Sequence, residues 1–185
     1  MEVSALVDVV RDHCLNQTMI AKDERAYVIR QATTADLPAV ADLELEAFSD
    51  YGTAESPEVF RSRLEIFPGG FFVCVVDGAV VGYGSSEKWL QERQPVLNED
   101  ASAAHNPQGK IFCITGLAVR LSHRGLGFGL AILDALIDLA RRDQCTRVVL
   151  ETTNGQRVYL KRGFRISHEC EQDGIKFSVM KLDLV

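Results

Sequence analysis

Residues 117–129 read LAVRLSHRGLGFG, so an apolar stretch that is typical of a β-strand runs into three alternating glycines. Glycine lacks a Cβ, so backbone N–H groups in such a loop can turn toward a ligand that approaches the main chain closely. Residues 130–142 then show the apolar spacing of a helix, whose first N–H groups are free to bind an anion. The stretch therefore predicts a strand, a phosphate-binding loop and a helix.

The spacing of the glycines narrows the kind of phosphate ligand. The dinucleotide fingerprint G-x-G-x-x-G is excluded, because its third glycine would fall on Leu130 or Ile132. A Walker loop is excluded as well, because the sequence contains no Gly-Lys-Ser or Gly-Lys-Thr. The remaining pattern is Arg-x-x-Gly-x-Gly, formed by Arg124, Gly127 and Gly129. It resembles the coenzyme A loop of the GNAT superfamily of N-acetyltransferases.

A second segment carries the same resemblance. Residues 152–164 read TTNGQRVYLKRGF, in which Tyr159 and the pair Gly163-Phe164 lie where GNAT proteins have a tyrosine followed by Gly-Phe. The resemblance extends from about residue 27 to residue 185. It implies the α/β GNAT fold, a central mixed but mostly antiparallel twisted sheet of about six or seven strands, flanked by about four helices.

The resemblance also implies a site for acetyl-CoA as cosubstrate, without a metal ion. The strand before the loop would offer backbone groups to the pantetheine arm, and the loop would bind the pyrophosphate. The acetyl group would pass to a primary amine by direct attack in a ternary complex. The residues that the resemblance places at the coenzyme are Leu117, Ala118, Val119, Arg124, Gly125, Leu126, Gly127, Phe128, Gly129, Leu130 and Asn154.

Tyr159 is the candidate general acid. The leaving thiolate of coenzyme A, whose thiol has a pKa near 8.5, gains a proton when the acetyl group departs. A phenol with a pKa near 10 can donate that proton, and Tyr159 occupies the tyrosine position of the family. The alternative interpretation is that the ring of Tyr159 packs against the sheet.

A general base is useful because a lysine-like amine, with a pKa near 10.4, is protonated at pH 7. Making such an amine nucleophilic at that pH costs about 4.6 kcal/mol. Four carboxylates near the ends of predicted elements are candidates: Glu46, Asp50, Glu87 and Glu151. Each of them also fits a solvated surface carboxylate, so the sequence does not choose among them.

Two parts of the chain are distinguished by pattern. Residues 1–25 are predicted to form a helical extension, because apolar residues 3, 6, 7 and 10 recur at helical spacing. Residues 26–185 are predicted to form the acetyltransferase domain. Its predicted strands lie at 27–32, 71–76, 79–83, 111–119, 147–151 and 175–182. Its predicted helices begin at 33 or 34, at 57 and at 130, and the first has Leu37, Val40, Ala41 and Leu45 on its inward face.

Residues 88–110 lack a periodic pattern and contain several proline, asparagine and glycine residues. A loop of this length inside a domain is usually functional or disordered. We expect it to contribute to the choice of acceptor rather than to coenzyme affinity. Trp89 is its candidate pocket residue, although an indole at this position also fits packing at the end of a strand.

Composition and charge limit the partners. The 185 residues suffice for one domain with a core, and the net charge of −6 argues against a nucleic-acid partner and favours a cationic substrate such as an amine. Five cysteines without a C-x-x-C pair indicate neither a disulfide framework nor a zinc site. No apolar run reaches the roughly 18 residues of a membrane span, so we expect no membrane partner and a cytoplasmic location. Homodimer formation stays open.

Two other classes of function fit the same sequence. A catalytically idle acyl-CoA sensor with this fold would bind the coenzyme without acetylating an amine. A protein-interaction module that uses the N-terminal helix and residues 88–110 would not bind the coenzyme at all. The acceptor of an enzyme, whether a protein N-terminus, a lysine or a small-molecule amine, cannot be read from the sequence.

Overall fold

The computed structural model describes residues 15–184, within which the chain forms eight β-strands and five α-helices. The helix predicted around residues 3–10 lies outside the described residues. In chain order the elements are β1 (Thr18–Ile20), β2 (Ala26–Gln31), α1 (Leu37–Phe48), α2 (Pro57–Ile66), β3 (Phe71–Val76), β4 (Ala79–Trp89), α3 (Ala101–Ala104), β5 (Ile111–Val119), α4 (Phe128–Arg142), β6 (Arg147–Thr152), α5 (Gln156–Leu160), β7 (Arg165–Gln172) and β8 (Ile175–Asp183).

All eight strands form one mixed sheet in the order β1-β2-β3-β4-β5-β6-β8-β7. Neighbours pair antiparallel except β5 and β6, which are parallel. The mixed, mostly antiparallel α/β fold is confirmed, and the sheet is larger than predicted because β1 and β7 were not foreseen. β1 falls within the segment 1–25 that was predicted to be helical. β7 has no buried residue, so it shows none of the alternation by which strands are recognised.

Helices cover both faces of the sheet. Because side chains alternate along a strand, Val73 and Tyr83 pack with α1 and α2, whereas Phe72 packs in the cluster that contains α4. Gly84 allows α4 to approach closely, since a Cβ at this position would stand 2.5 Å from Cγ2 of Ile132. The centre of the sheet is therefore buried between two helical layers.

The inward face of α1 differs from the prediction. Leu45 was expected to point inward, but it is 57% exposed. The buried residues of α1 are Val40, Leu43 and Glu44, and Ala47 is partly buried. Their spacing of i, i+3, i+4 and i+7 is that of one helical face, so a carboxylate takes the place at which an apolar residue was expected.

The parallel strands β5 and β6 separate partway along their length. Their pairing runs from Ile111 and Arg147 to Ile114 and Leu150 and then stops. At the same point β5 bulges at Thr115, because Ser85 and Ser86 of β4 pair with Gly116 and Ile114. Residues 115–119 therefore keep β4 as a neighbour but leave their other edge open toward a cleft.

The segment predicted as a loop at 88–110 is shorter and more ordered than expected. β4 continues through Trp89, and α3 forms a single short helix within the remaining residues, 90–110. α3 is fastened to α2, because Ser62 donates to Asp100 at 2.6 Å and accepts from the backbone N–H of Ala101 at 3.1 Å. We call residues 90–110 the crossing segment, since they connect β4 to β5.

Candidate functional site

A cleft of about 410 Å³ opens where β5 and β6 separate. It is bordered by the loop before α4, the first turn of α4, the end of β6 and α5. Leu126 does not border it, because its side chain packs against the core cluster beneath α4. Of the residues predicted for the site, those that line the cleft are Leu117, Ala118, Val119, Arg124, Gly125, Gly127, Phe128, Gly129, Leu130, Asn154 and Tyr159.

The loop before α4 has the conformation that its glycines allow. Gly125 and Gly127 have φ values of +80° and +105°, which L side chains rarely adopt. No atom lies within 4 Å of a Cβ placed on either residue, so the backbone faces open space. Gly129 differs from the sequence prediction, since it lies in the regular first turn of α4 and needs no left-handed conformation. The loop therefore leaves room for a ligand against its main chain.

Arg124 is tied to the strand that precedes it. Its Nε donates a hydrogen bond of 3.0 Å to the backbone carbonyl of Val119, the last residue of β5. This contact fixes the start of the glycine loop to the end of the strand. Arg124 also borders the cleft, together with Gly125 and Gly127, so it adds a positive charge to the part of the cleft where a phosphate would bind.

Tyr159 lies on α5 and borders the cleft that opens between the two parallel strands. Its ring packs edge-on against Phe164 at a centroid distance of 5.8 Å, so the Gly163-Phe164 pair supports the tyrosine from behind. The residue is only 9% exposed. Burial raises the pKa of Tyr159 to about 12 and keeps its phenol protonated at neutral pH.

Glu151 is the carboxylate, among the four predicted candidates for a base, that borders the cleft. It ends the buried part of β6, and β7 supplies both of its hydrogen-bond donors. Gln172 donates to Oε2 at 2.7 Å, and the thiol of Cys170 donates to Oε1 at 3.5 Å. Burial raises the pKa of Glu151, and these two hydrogen bonds oppose that increase only in part. A raised pKa moves a carboxylate toward the range that suits a base near neutral pH.

The other predicted candidates lie outside the cleft. Glu46 pairs with Arg120 at 2.8 Å, and Asp50 is exposed on the turn after α1. Glu87 is buried and accepts a hydrogen bond from the indole of Trp89 at 3.1 Å. Trp89 itself packs in a small core cluster with Cys113 and Val149, so it does not line an acceptor pocket as the sequence suggested. From the crossing segment it is Leu97 that borders the cleft.

Glu44 is a cleft residue that the sequence reasoning missed. It is 3% exposed, and both of its carboxylate oxygens are held. The hydroxyl of Tyr83 donates to one oxygen, and the backbone N–H of Glu55 donates to the other at 3.0 Å. Burial raises the pKa of Glu44 to about 7, although both hydrogen bonds favour the ionised form. The spacing of Val40, Leu43, Glu44 and Ala47 was the sequence signal that could have placed it on the inner face.

A buried ion network lies behind Glu44. Arg63 donates to both carboxylate oxygens of Glu55, at 2.5 and 3.0 Å, and its Nε stands 3.5 Å from Glu87. Glu55 also accepts from the backbone N–H of Asn98 at 3.0 Å. This network joins α2, β4 and the crossing segment, and it holds the wall of the cleft that carries Leu97.

We expect Glu44→Gln to flatten the pH dependence of stability between about pH 4.5 and pH 7. In this range the folded protein keeps Glu44 protonated, whereas the unfolded chain ionises it near its ordinary pKa of 4.5. The wild-type free energy of unfolding should therefore fall as the pH rises, by at most about 3 kcal/mol from this group. Urea unfolding at pH 5 and pH 8 measures the change. Glu46→Gln on the same helix is the matched control, and an equal pH dependence in Glu44→Gln and wild type would contradict the account.

Between residues 15 and 184, no group of three or more histidine, cysteine or acidic side chains is arranged to hold a metal ion. None of the helices in this part is long and apolar enough to cross a membrane. The cleft therefore offers a glycine loop, a buried phenol and carboxylates as its chemical groups.

Comparison with known proteins identifies the family. Residues 37–164 match the family model described as the acetyltransferase (GNAT) family. An uncharacterized N-acetyltransferase of Methanocaldococcus jannaschii is 30% identical over 147 residues, which cover 75% of this chain and 78% of that protein. Ard1 from Thermoplasma volcanium has a TM-score of 0.69 at 21% identity, covering 86% of this chain and 98% of that one. A putative acetyltransferase from Salmonella typhimurium, solved with its cofactor acetyl-CoA, has a TM-score of 0.64 at 21% identity, with 86% and 94% covered.

The matched region contains the elements that build the cleft. It begins at the first residue of α1 and ends at Phe164, the residue that supports Tyr159. It includes β5, the glycine loop, α4 and β6. The family match and the glycine loop agree with each other, and the chain belongs to the GNAT family of acetyltransferases.

Proposed function

We propose that the protein is an N-acetyltransferase that moves the acetyl group of acetyl-CoA to a primary amine by direct attack in a ternary complex. The observation that carries this proposal is the cleft between β5 and β6. It has an open glycine loop at one end, and it is bordered by both a buried phenol, Tyr159, and a partly buried carboxylate, Glu151. These groups correspond to the three needs of the reaction: a place for the coenzyme, an acid and a base.

The glycine loop and the open edge of β5 suit the two parts of the coenzyme. The N–H groups of the loop and of the first turn of α4 would bind the pyrophosphate, at the positive end of the helix dipole. Residues 115–119 would offer backbone groups to the amides of the pantetheine arm. The open space at Gly125 and Gly127 supports this placement, because a side chain there would occupy the position of the phosphates.

Glu151 and Tyr159 would then move the two protons. Glu151 removes a proton from the bound ammonium, and the neutral amine attacks the carbonyl carbon of the thioester. A C–N bond forms and the C–S bond breaks. Tyr159 donates its phenolic proton to the departing sulfur, and the second proton that the attacking nitrogen loses returns to the Tyr159 phenolate. The proton held by Glu151 is released to solvent. Burial disfavours the charged form of both residues, so Tyr159 starts protonated and Glu151 binds its proton more readily.

An amine-dependence experiment tests the proposed function. Acetyl-CoA is incubated with the protein alone and with a panel consisting of a peptide, lysine, spermidine and hexylamine. Direct attack predicts thiol release only when an amine is present, and an unchanged protein mass when it is absent. If the protein binds the coenzyme stably but no amine in the panel causes release of the coenzyme A thiol, the protein is a sensor. If the protein itself becomes acetylated in the absence of amine, direct attack is contradicted.

Glu151→Gln should lower kcat for acetyl transfer by about a hundredfold to ten-thousandfold, because the amide cannot accept the proton. Wild-type kcat/KM should level off above the raised pKa of Glu151. The variant must use amine that is already neutral, so its kcat/KM should keep rising toward the amine pKa near 10.4. Glu169→Gln on β7 is the control, since Glu169 borders neither the cleft nor Glu151. Identical pH profiles for Glu151→Gln and wild type would remove Glu151 from the mechanism.

A further inference from the structure

The crossing segment builds a second cavity on the sheet face that also carries α1 and α2. This cavity has a volume of about 230 Å³. Its walls are residues 92–95 of the crossing segment, Val149 and Glu151 of β6, His168 of β7 and Val179 of β8. It is therefore a space between the crossing segment and the strands that follow the cleft.

The second cavity and the cleft meet at Glu151. Leu150 and Glu151 border both spaces. The crossing segment also borders both, with residues 92–95 at the second cavity and Leu97 at the cleft. Glu151 thus stands at the boundary of the two spaces, so a group bound in the second cavity would lie beside the carboxylate that also borders the cleft.

The wall over the second cavity is held in place by charged contacts. Arg93 lies over the ring of Trp89 at 4.4 Å and pairs with Glu99 at 2.6 Å. Glu92 pairs with Arg147 at 3.0 Å and with Lys181. These contacts anchor the near end of the crossing segment to β4, β6 and β8. The cavity is therefore formed before a ligand arrives, which lowers the entropic cost of binding.

The same contacts set the charge of the cavity. Glu92 and Arg93 each form an ion pair with a side chain of opposite charge, so their charges are neutralised within the wall. Glu151 accepts hydrogen bonds from the neutral groups of Cys170 and Gln172, and His168, which also lines the cavity, interacts with its charge. The carboxylate that remains available to a cation in this space is that of Glu151, at the end of the cavity that borders the cleft. The floor on the sheet side is apolar at Val149 and Val179.

We propose that the second cavity binds the carrier of the acceptor amine, an uncharged and partly apolar group whose ammonium lies at Glu151. The inference rests on the proposed function and adds a substrate class to it. The volume lies below the range of about 300–1,000 Å³ that whole ligand pockets usually have, which suits one arm of an acceptor whose reacting end is in the cleft. The acceptor then approaches Glu151 from the side opposite the glycine loop.

A series of n-alkylamines tests the proposal. From ethylamine to octylamine the amine keeps nearly the same basicity, so differences in kcat/KM report binding of the chain. We expect kcat/KM to rise about fourfold for each CH₂ that is buried, until the cavity is filled. 1,6-Diaminohexane should be a poorer acceptor than hexylamine, because its second ammonium finds no unpaired carboxylate there. A flat series, or a preference for the diamine, would overturn the proposal.

Filling the cavity provides the structural control. Val179→Phe adds bulk to the floor of the cavity, and Gln94→Trp adds bulk from the crossing segment while removing the hydrogen bond between Gln94 and Cys170. In both variants, kcat/KM for hexylamine should no longer exceed kcat/KM for ethylamine, and the Kd for acetyl-CoA should stay unchanged. Val96→Phe is the matched control, because Val96 is 53% exposed on the same segment and borders neither space. If folded Gln94→Trp and Val179→Phe keep the wild-type ratio of kcat/KM between hexylamine and ethylamine, the proposal is overturned.

Calorimetry of hexylamine in the presence of coenzyme A separates this inference from the proposed function. If no amine is acetylated, the proposed function fails, while chain-length-dependent binding that Gln94→Trp removes still supports the cavity as an amine site. If amines are acetylated but neither the affinity for the amine nor kcat/KM depends on chain length, the proposed function stands and the inference fails.

Discussion

Tyr159→Phe should lower kcat for acetyl transfer by about a hundredfold to ten-thousandfold while leaving the Kd for acetyl-CoA nearly unchanged. The substitution removes the phenolic proton but keeps the ring that packs on Phe164 at 5.8 Å. Kinetics under saturating acetyl-CoA and calorimetry of coenzyme binding measure the two quantities. The expected split between kcat and Kd follows from a group that acts on the departing sulfur rather than on the bound coenzyme.

Two comparisons make this test specific. The penalty should shrink for an acyl donor whose thiol has a lower pKa, because a better leaving group needs less help from an acid. Tyr51→Phe is the matched control, since Tyr51 also borders the cleft but is 47% exposed on the turn after α1. Full turnover of Tyr159→Phe with both donors would leave Tyr159 as a packing residue and the thiolate protonated by solvent.

Gly127→Asp should weaken acetyl-CoA binding by a hundredfold or more. The new carboxylate would stand in the open space of the loop, where the pyrophosphate is expected. Each charge-assisted hydrogen bond that is lost costs about 1.5–3 kcal/mol, so the loss of two suffices for this effect. Calorimetry with acetyl-CoA measures the Kd, and thermal unfolding shows whether the variant is folded.

Gly127→Asn is the control that separates charge from backbone strain. Both substitutions force a side chain onto a residue with a φ of +105°, so both pay a similar conformational cost of about 1–3 kcal/mol. Only the aspartate adds a negative charge beside the phosphates. An acetyl-CoA affinity that is unchanged in folded Gly127→Asp would remove the glycine loop from the site.

The parts of the fold that were predicted correctly have strong local signals. The hairpin of β3 and β4 turns at Asp77-Gly78, and the apolar strand β5 leads into a glycine loop and an amphipathic helix. Each of these depends on residues that are close together in sequence. The same is true of the cleft lining, where the predicted loop and strand residues lie next to each other in the chain as well as in space.

The features that were missed depend on contacts between distant residues. β4 continues beyond its predicted end because Glu87 and Lys88, which resemble loop residues, pair across the fold with Arg63 and Asp143. Glu44 on helix α1 is buried in the cleft, where Tyr83 on strand β4 donates a hydrogen bond to it. Neither partner can be read from the sequence around these residues.

The crossing segment shows the same limit. Its sequence has no periodicity, yet Asn98 bonds to Glu55 and Ser56, and Arg93 stacks on Trp89. The expectation that this region takes part in acceptor choice stays a prediction, now with Leu97 and residues 92–95 as the positions to test. Trp89 was the wrong residue, because its indole is buried against Glu87.

The most direct measurement of the central claim is the fate of a labelled acetyl group. Acetyl-CoA carrying the label is mixed with the protein and a panel of a peptide, lysine, spermidine and hexylamine, and mass spectrometry counts labelled amide and free coenzyme A. The account predicts equal amounts of the two with at least one amine, and at least about a hundredfold less of both with Glu151→Gln and Tyr159→Phe combined. Coenzyme binding without labelled amide from any amine, or free thiol without labelled amide, would contradict it.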